Sequence, residues 1–204
     1  MPRGRYQQKQ WDARQAAILA ALEMLSAQRG FANVTMDDLA DEVGISKATL
    51  YQHFKSKDDL LVHLMAQQED QFIASIDNTA GQPPVGRLLA TLRTLMEGHI
   101  TPLRGLVSIG SEAITPVFRN NAQLVERHDQ IVAMLTDIIR DGQDDGSIAP
   151  DLAPHVIISA MLALSNVSMG DYEPPECNRQ LQTREGYNEQ MLTLFERSIR
   201  LMPI

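Results

Sequence analysis

This chain predicts an all-α fold in two parts, a small N-terminal three-helix module and a larger helical region after it, and three observations carry the expectation. Apolar residues recur at three- and four-residue spacing through most of the 204 residues. No segment alternates with period two over a convincing length, which argues against strands. The stretch TMDDLADEVGISKATLYQHFKSKDDLL, Thr35 to Leu61, sets two short apolar-periodic segments on either side of Val43-Gly44-Ile45-Ser46 and then starts a third. That is the pattern of a helix-turn-helix.

Residues 1–10 are polar, basic and glutamine-rich, with Pro2 and Gly4, and are expected to form a flexible arm. From Trp11 to Gln28 the spacing of Ala17, Ile18, Ala21, Leu22 and Leu25 predicts a helix that Gly30 terminates. Thr35, with Asp38 three residues on, predicts a capped helix whose inward residues are Leu39, Ala40 and Val43. Gly44 supplies the sharp turn, Ile45 plugs it, and Ser46 caps a helix from Lys47 to about Phe54 that buries Leu50 and Phe54. Lys47, Ala48, Thr49, Gln52 and His53 are then left outside, with Tyr51 at the margin.

Ser56 and Asp59 open another helix, with a stripe of Leu60, Leu61, Leu64, Met65, Phe72 and Ile73 reaching about Asn78, and Gly81-Gln82-Pro83-Pro84 ends it. The expected organisation is an arm at 1–10, a helix-turn-helix domain at 11–57, a connecting helix at 58–80 and a C-terminal domain at 81–204. Within that domain helices are expected over 85–96, 101–110, from 117 or 121 to 140, 152–169 and 184–201, with a polar turn at 141–147.

Hydrophobic residues at 44% and charged residues at 22% describe an ordered soluble protein, and with no signal-peptide pattern a cytoplasmic location is expected. The lone Cys177 forms no intramolecular disulfide and reads as an incidental thiol. The net charge of -8 is unevenly spread. Residues 1–66 hold eight basic and eight acidic side chains, the remainder ten and eighteen, and no lysine follows Lys57. Positive charge for a phosphate backbone is therefore local to the N-terminal part.

An exposed helix face of Lys, Thr, Gln, His and Tyr suits a DNA major groove, where each base pair offers a distinct donor and acceptor pattern. Lys47 and Gln52 can bond base edges, and Thr49 can offer a hydroxyl to an edge or a methyl to thymine. Tyr51, His53 and Lys57 suit phosphate. Thr35 is open to two roles, cap alone or cap and phosphate donor. Arg3, Arg5 and Lys9 either solubilise the arm or reach a groove.

Carried by these residues, and preceded by a helix ending in Gly30-Phe31, the segment over roughly 14–62 closely resembles the N-terminal domain of the TetR family of transcriptional regulators. The resemblance implies a homodimer whose heads read the halves of a pseudo-palindromic operator, and a C-terminal domain that dimerises and encloses a small-molecule effector. Matched position by position, Lys47, Ala48, Thr49 and Gln52 are implied to read bases, and Thr35, Tyr51, His53 and Lys57 to grip phosphate. Ala48 offers only a methyl surface.

The helices over 121–140 and 152–169 are expected to form a four-helix dimer interface, since the second is apolar on more than one side and rich in Ala and Ser. The effector pocket is expected among Leu88, Leu92, Leu95, Met96, His99, Leu103, Leu106, Val107 and Phe118, with Arg93, Arg104, Glu112 and Arg119 as further polar candidates. A repressor released by an apolar or amphipathic effector is the function this implies. An effector-independent DNA-binding dimer and an activator remain open beside it. Neither cofactor nor metal is expected, and catalysis is disfavoured: His53, His63, His99, His128 and His155 form no H-E-x-x-H, there is no C-x-x-C, and Ser108 and Ser111 lack a nucleophile elbow.

Overall fold

A computed structural model describes residues 3–97, 115–166 and 184–200 of the chain, and among these every regular element is helical. The expected helix over 101–110 and the segment around Cys177, with the pocket candidates His99, Leu103, Leu106 and Val107 and the polar candidates Arg104 and Glu112, lie outside the described residues. The described residues fall into two units, 3–67 with 115–125 and 68–97 with 126–166 and 184–200.

In the first unit, α1 (Arg3–Arg29) is followed by a 3₁₀ turn (Phe31–Asn33), α2 (Met36–Val43), α3 (Lys47–His53) and the first half of α4 (Lys57–Asp77). The first helix begins at Arg3 rather than Trp11, so the expected loose arm is helical. Its glutamines and charged residues are good helix formers, and Gln8 bonds Asp12 one turn on at 2.8 Å. Gly30 ends α1 at φ 81°, a backbone position that disfavours any side chain. Ile18, Leu22 and Leu25 from α1, Leu39 and Ala40 from α2, Leu50 and Phe54 from α3 and its end, and Leu60 and Leu64 from α4 make one buried core. Because Leu60 and Leu64 belong to that core, the division between units falls inside α4 near residue 67 instead of at residue 57. A second small cluster joins Leu61, Met65 and Leu124, with Val117 and Phe118 against it. The last two come from or near the short helix α6 (Thr115–Arg119).

The second unit is built on the rest of α4, α5 (Pro84–Glu97), most of α7 (Ala122–Asp144), α8 (Pro154–Asn166) and α9 (Arg184–Ile199). Phe72 and Ile76 of α4, Leu88, Leu92 and Leu95 of α5, Ile131, Leu135 and Ile138 of α7, Ile157 and Met161 of α8, and Leu192 and Phe195 of α9 share its core. Asn121 starts α7 by accepting from the N–H groups of Gln123 and Leu124, both at 3.1 Å. The polar turn expected from Asp141 begins later, because α7 continues to Asp144. Ile148 folds back on the helix so closely that a Cβ at Gly142 would lie 2.5 Å from its Cδ1. Glycine there serves helix-to-side-chain packing rather than a turn. Gln143 then ties the following segment down, its amide donating to the carbonyls of Ala149 at 3.0 Å and Leu152 at 2.8 Å.

Candidate nucleic-acid interface

Local chemistry sets the rigidity of the head. Thr35 Oγ1 accepts from the Asp38 N–H at 3.2 Å, while the Thr35 N–H donates to Asp38 Oδ2 at 2.8 Å, a reciprocal capping box at the start of α2. The Thr35 hydroxyl also donates to Asp38 Oδ2, and Arg29 reaches the same oxygen at 3.0 Å. These bonds, Thr35's before Arg29's, lower the Asp38 carboxyl to about 2. Replacing Thr35 by alanine should cost about 1–2 kcal/mol at neutral pH, read as a shift in the urea midpoint. The depressed Asp38 stabilises the fold above the ordinary carboxylate range and loses that contribution as pH falls toward 2, so the gap between wild type and Thr35→Ala should shrink in acid.

At Gly44 the chain passes through φ 70°, ψ 36°, with its N–H returning to the end of α2, and the Ile45 N–H bonds the Ala40 carbonyl at 2.9 Å. Ser46 caps α3 by accepting from the Thr49 N–H at 3.1 Å. With Leu50 and Phe54 anchored in the core, α3 turns Lys47, Ala48, Tyr51 and Gln52 to the exterior. Thr49 is half-buried, its hydroxyl 2.8 Å from that of Ser46. Lys47 pairs with Asp37 at 2.6 Å, an exposed contact of about 0–1 kcal/mol that yields readily to a phosphate or base. Thr35, the cap that precedes α2, is exposed. Arg5 and Lys9 line the exposed start of α1.

Two expected phosphate ligands sit elsewhere than sequence reasoning placed them. His53, expected outside, is buried: its ring stacks on Trp11 at 3.7 Å between centroids, and neither ring nitrogen has a hydrogen-bond partner. Burial first, and the Arg14 charge second, push its pKa down and favour neutral imidazole. The signal was present, since His53 lies three residues after Leu50 and so on the same helix face. Lys57 is half-buried, and its ammonium donates to the carbonyls of Phe31 at 2.6 Å, Val34 at 2.8 Å and Ala32 at 3.1 Å. It also stands 4.3 Å from the centroid of the Phe31 ring. An ammonium has three protons, and all three are directed to this loop. Lys57 therefore holds the connection between α1 and α2, and burial lowers its pKa.

Of the expected effector wall, Leu88, Leu92, Leu95 and Met96 are buried together on α5. Phe118 belongs instead with Leu61, Met65 and Leu124 in the other unit. Arg93 forms an exposed bidentate pair with Glu189, and Arg119 is exposed. Sequence reasoning missed Gln68 and Glu69, which are 4% and 1% exposed on α4. Their signal was the gap in the apolar stripe between Met65 and Phe72, where helical spacing demands core residues. Among the described residues no group of His, Cys, Asp and Glu is arranged to hold a metal ion, and no helix is long and apolar enough to cross a membrane.

A capped three-helix head with one short helix presenting a polar face defines a helix-turn-helix DNA-binding module. Residues 18–64 match the family described as bacterial regulatory proteins, tetR family. The chain is 27% identical over 143 residues to an HTH-type transcriptional regulator YfiR of Bacillus subtilis, covering 68% of this chain and 70% of the relative. It is 26% identical over 173 residues to the transcriptional repressor KstR2 of Mycobacterium tuberculosis, covering 81% and 84%. The solved structure of the ketosteroid transcriptional regulator KstR2 from that organism shares the fold with a TM-score of 0.71 at 22% identity, over 93% of this chain and 96% of the other. The structure of AibR in complex with isovaleryl coenzyme A and operator DNA does so with a TM-score of 0.67 at 21% identity, over 89% and 97%. Residues 18–64 thus carry the DNA-binding domain described for bacterial regulatory proteins of the tetR family, and over most of its length the chain is similar to HTH-type transcriptional regulators.

Proposed function

We propose that this regulator is a homodimeric repressor, released from a pseudo-palindromic operator by a small apolar or amphipathic effector. The exposed face of α3, held by core anchors on its other side, is the observation that carries the reading. Gln52 and Lys47 read base edges, Ala48 and Thr49 sit close against the groove wall, and Tyr51 and Thr35 contact phosphates, with the Thr35 hydroxyl turning from Asp38 to do so. His53, stacked on Trp11, ties the end of α3 to α1, and Lys57 holds the loop between α1 and α2.

Dimerisation through α7 and α8 is favoured by the exterior of α8, where Val156, Ser159, Ala160 and Ala163 leave a face of small side chains that admits a close helix. The effector lies against α5 and α4 in the second unit. Its differential affinity for two head spacings moves α4, which carries Leu60 and Leu64 of the head core and Phe72 and Ile76 of the larger core. The repressor named KstR2 and the AibR complex with a coenzyme A ester and operator DNA support this reading by analogy.

The test is binding of the purified protein to the DNA upstream of its own and neighbouring genes, by anisotropy at stated salt. Gln52→Ala is expected to cost about 1–3 kcal/mol on the operator and to relax the preference at one position of each half-site. Tyr51→Phe should weaken all sequences alike. Equal, salt-dominated affinity for every DNA, unchanged by Gln52→Ala, would refute operator recognition by α3.

A further inference from the structure

A carboxylate and an amide stand in the middle of an apolar helix stripe. Gln68 and Glu69 occupy the core-facing positions of α4 that precede Phe72 and Ile76 at helical spacing, and both are almost wholly removed from solvent. Among the described residues, none donates a hydrogen bond to Glu69 Oε1, Glu69 Oε2 or Gln68 Oε1. Buried polar atoms are nearly always bonded, because a lost bond to water is otherwise uncompensated, so three on two consecutive residues of one helix require an explanation. A structural role does not supply it: leucine at either position would continue the stripe.

The neighbourhood offers Glu69 charge but no bond. Arg127 of α7 is near enough to favour the ionised carboxyl, but its Nε donates to Asp70 at 2.8 Å, and Asp70 itself adds a like charge. Burial outweighs the arginine and raises the Glu69 carboxyl to about 7. The group therefore sits ready to gain from any donor or positive charge brought to it.

With Glu69 ionised all three unpartnered atoms are acceptors, which narrows the chemistry of what completes that form. A carbonyl or carboxylate ligand supplies no donor and, if charged, is repelled. An alcohol supplies one donor for three acceptors. A primary ammonium carries several N–H donors and a positive charge, so it can bond the two Glu69 oxygens and match the ionised carboxylate in sign. The adjoining apolar core residues Phe72 and Ile73 suit a hydrocarbon body. We propose that Gln68 and Glu69 form the polar end of an effector site for a primary alkylammonium or arylalkylammonium compound, with Glu69 as the counter-ion. This rests on the effector reading above and specifies the ligand class.

The experiment is calorimetric titration of the full-length protein, without DNA, with primary amines from butylamine to decylamine and phenethylamine, each beside its chain-matched alcohol and carboxylic acid. The expected result is at least about tenfold tighter binding of an amine than of its alcohol, with the acid weakest, as one charge-assisted contact implies. Glu69→Gln should abolish the amine preference while keeping the alcohol affinity, and Gln68→Leu should reduce it. Circular dichroism confirms that the variants fold. An amine no tighter than its alcohol, an amine preference that survives Glu69→Gln, or no binding by any probe would overturn the proposal. Operator release is measured separately with the same compounds. Release by an alcohol or acid with no amine preference overturns the ammonium site and leaves the effector reading intact, whereas amine binding without release supports the site and counts against the effector reading.

Discussion

Replacing Lys57 by methionine should lower the stability of the head by about 2–4 kcal/mol, seen as a lower urea midpoint for loss of its helical signal, while leaving the salt dependence of DNA binding unchanged. The side chain keeps most of its apolar stem, so the loss isolates the ammonium. That ammonium donates to three carbonyls from Phe31 to Val34, two of the bonds being partly buried. Each bond to a charged donor is worth about 1.5–3 kcal/mol singly, but three that share one nitrogen are not additive. Arginine should rescue poorly, because a planar fork does not converge on three oxygens as a tetrahedral ammonium does. Had Lys57 served mainly to grip phosphate, its removal would flatten the plot of log affinity against log salt by about one unit and leave the midpoint alone. Both quantities are measured on the same variant, and the two roles predict opposite patterns.

The head was legible because its sequence signals are local and agree with one another. The capping pair Thr35 and Asp38, the left-handed Gly44, and Leu50 with Phe54 one turn apart each specify the same chain path. What escaped were features decided by residues distant in sequence. Lys57 looked free because nothing nearby requires it, and its partners lie 23 to 26 residues earlier. His53 looked like a surface histidine because its cover, Trp11, comes from a segment of α1 whose first turns read as a loose arm. Gly142 looked like a turn residue, since only the returning Ile148 reveals that the helix must be bare there. Gln68 and Glu69 were passed over for a different reason. Apolar periodicity marks only the apolar positions, so two polar residues at core positions show solely as a gap in the stripe between Met65 and Phe72.

Glu69→Leu should raise stability, and by an amount that depends on pH in a defined sense. In the folded protein the Glu69 carboxyl is raised from 4.5 to about 7, with burial as the leading cause, Arg127 opposing it and Asp70 adding to it. Below pH 4.5 the group is protonated in both folded and unfolded chains, and its ionisation contributes nothing to the difference. Between 4.5 and about 7 the unfolded chain releases the proton while the folded one retains it, so the wild type loses stability as pH rises. Above about 7 both are ionised and the loss is complete. At 1.36 kcal/mol per unit this difference amounts to roughly 2–3 kcal/mol once relaxation around the charge is allowed for. Urea midpoints of wild type and Glu69→Leu should therefore lie closest at and below pH 4.5, diverge up to about pH 7 and level off above it, with the variant the more stable. A constant offset across that range would mean that only packing had changed. A variant less stable at pH 8 would mean that Glu69 is compensated within the protein, and would remove the reason for a cationic partner.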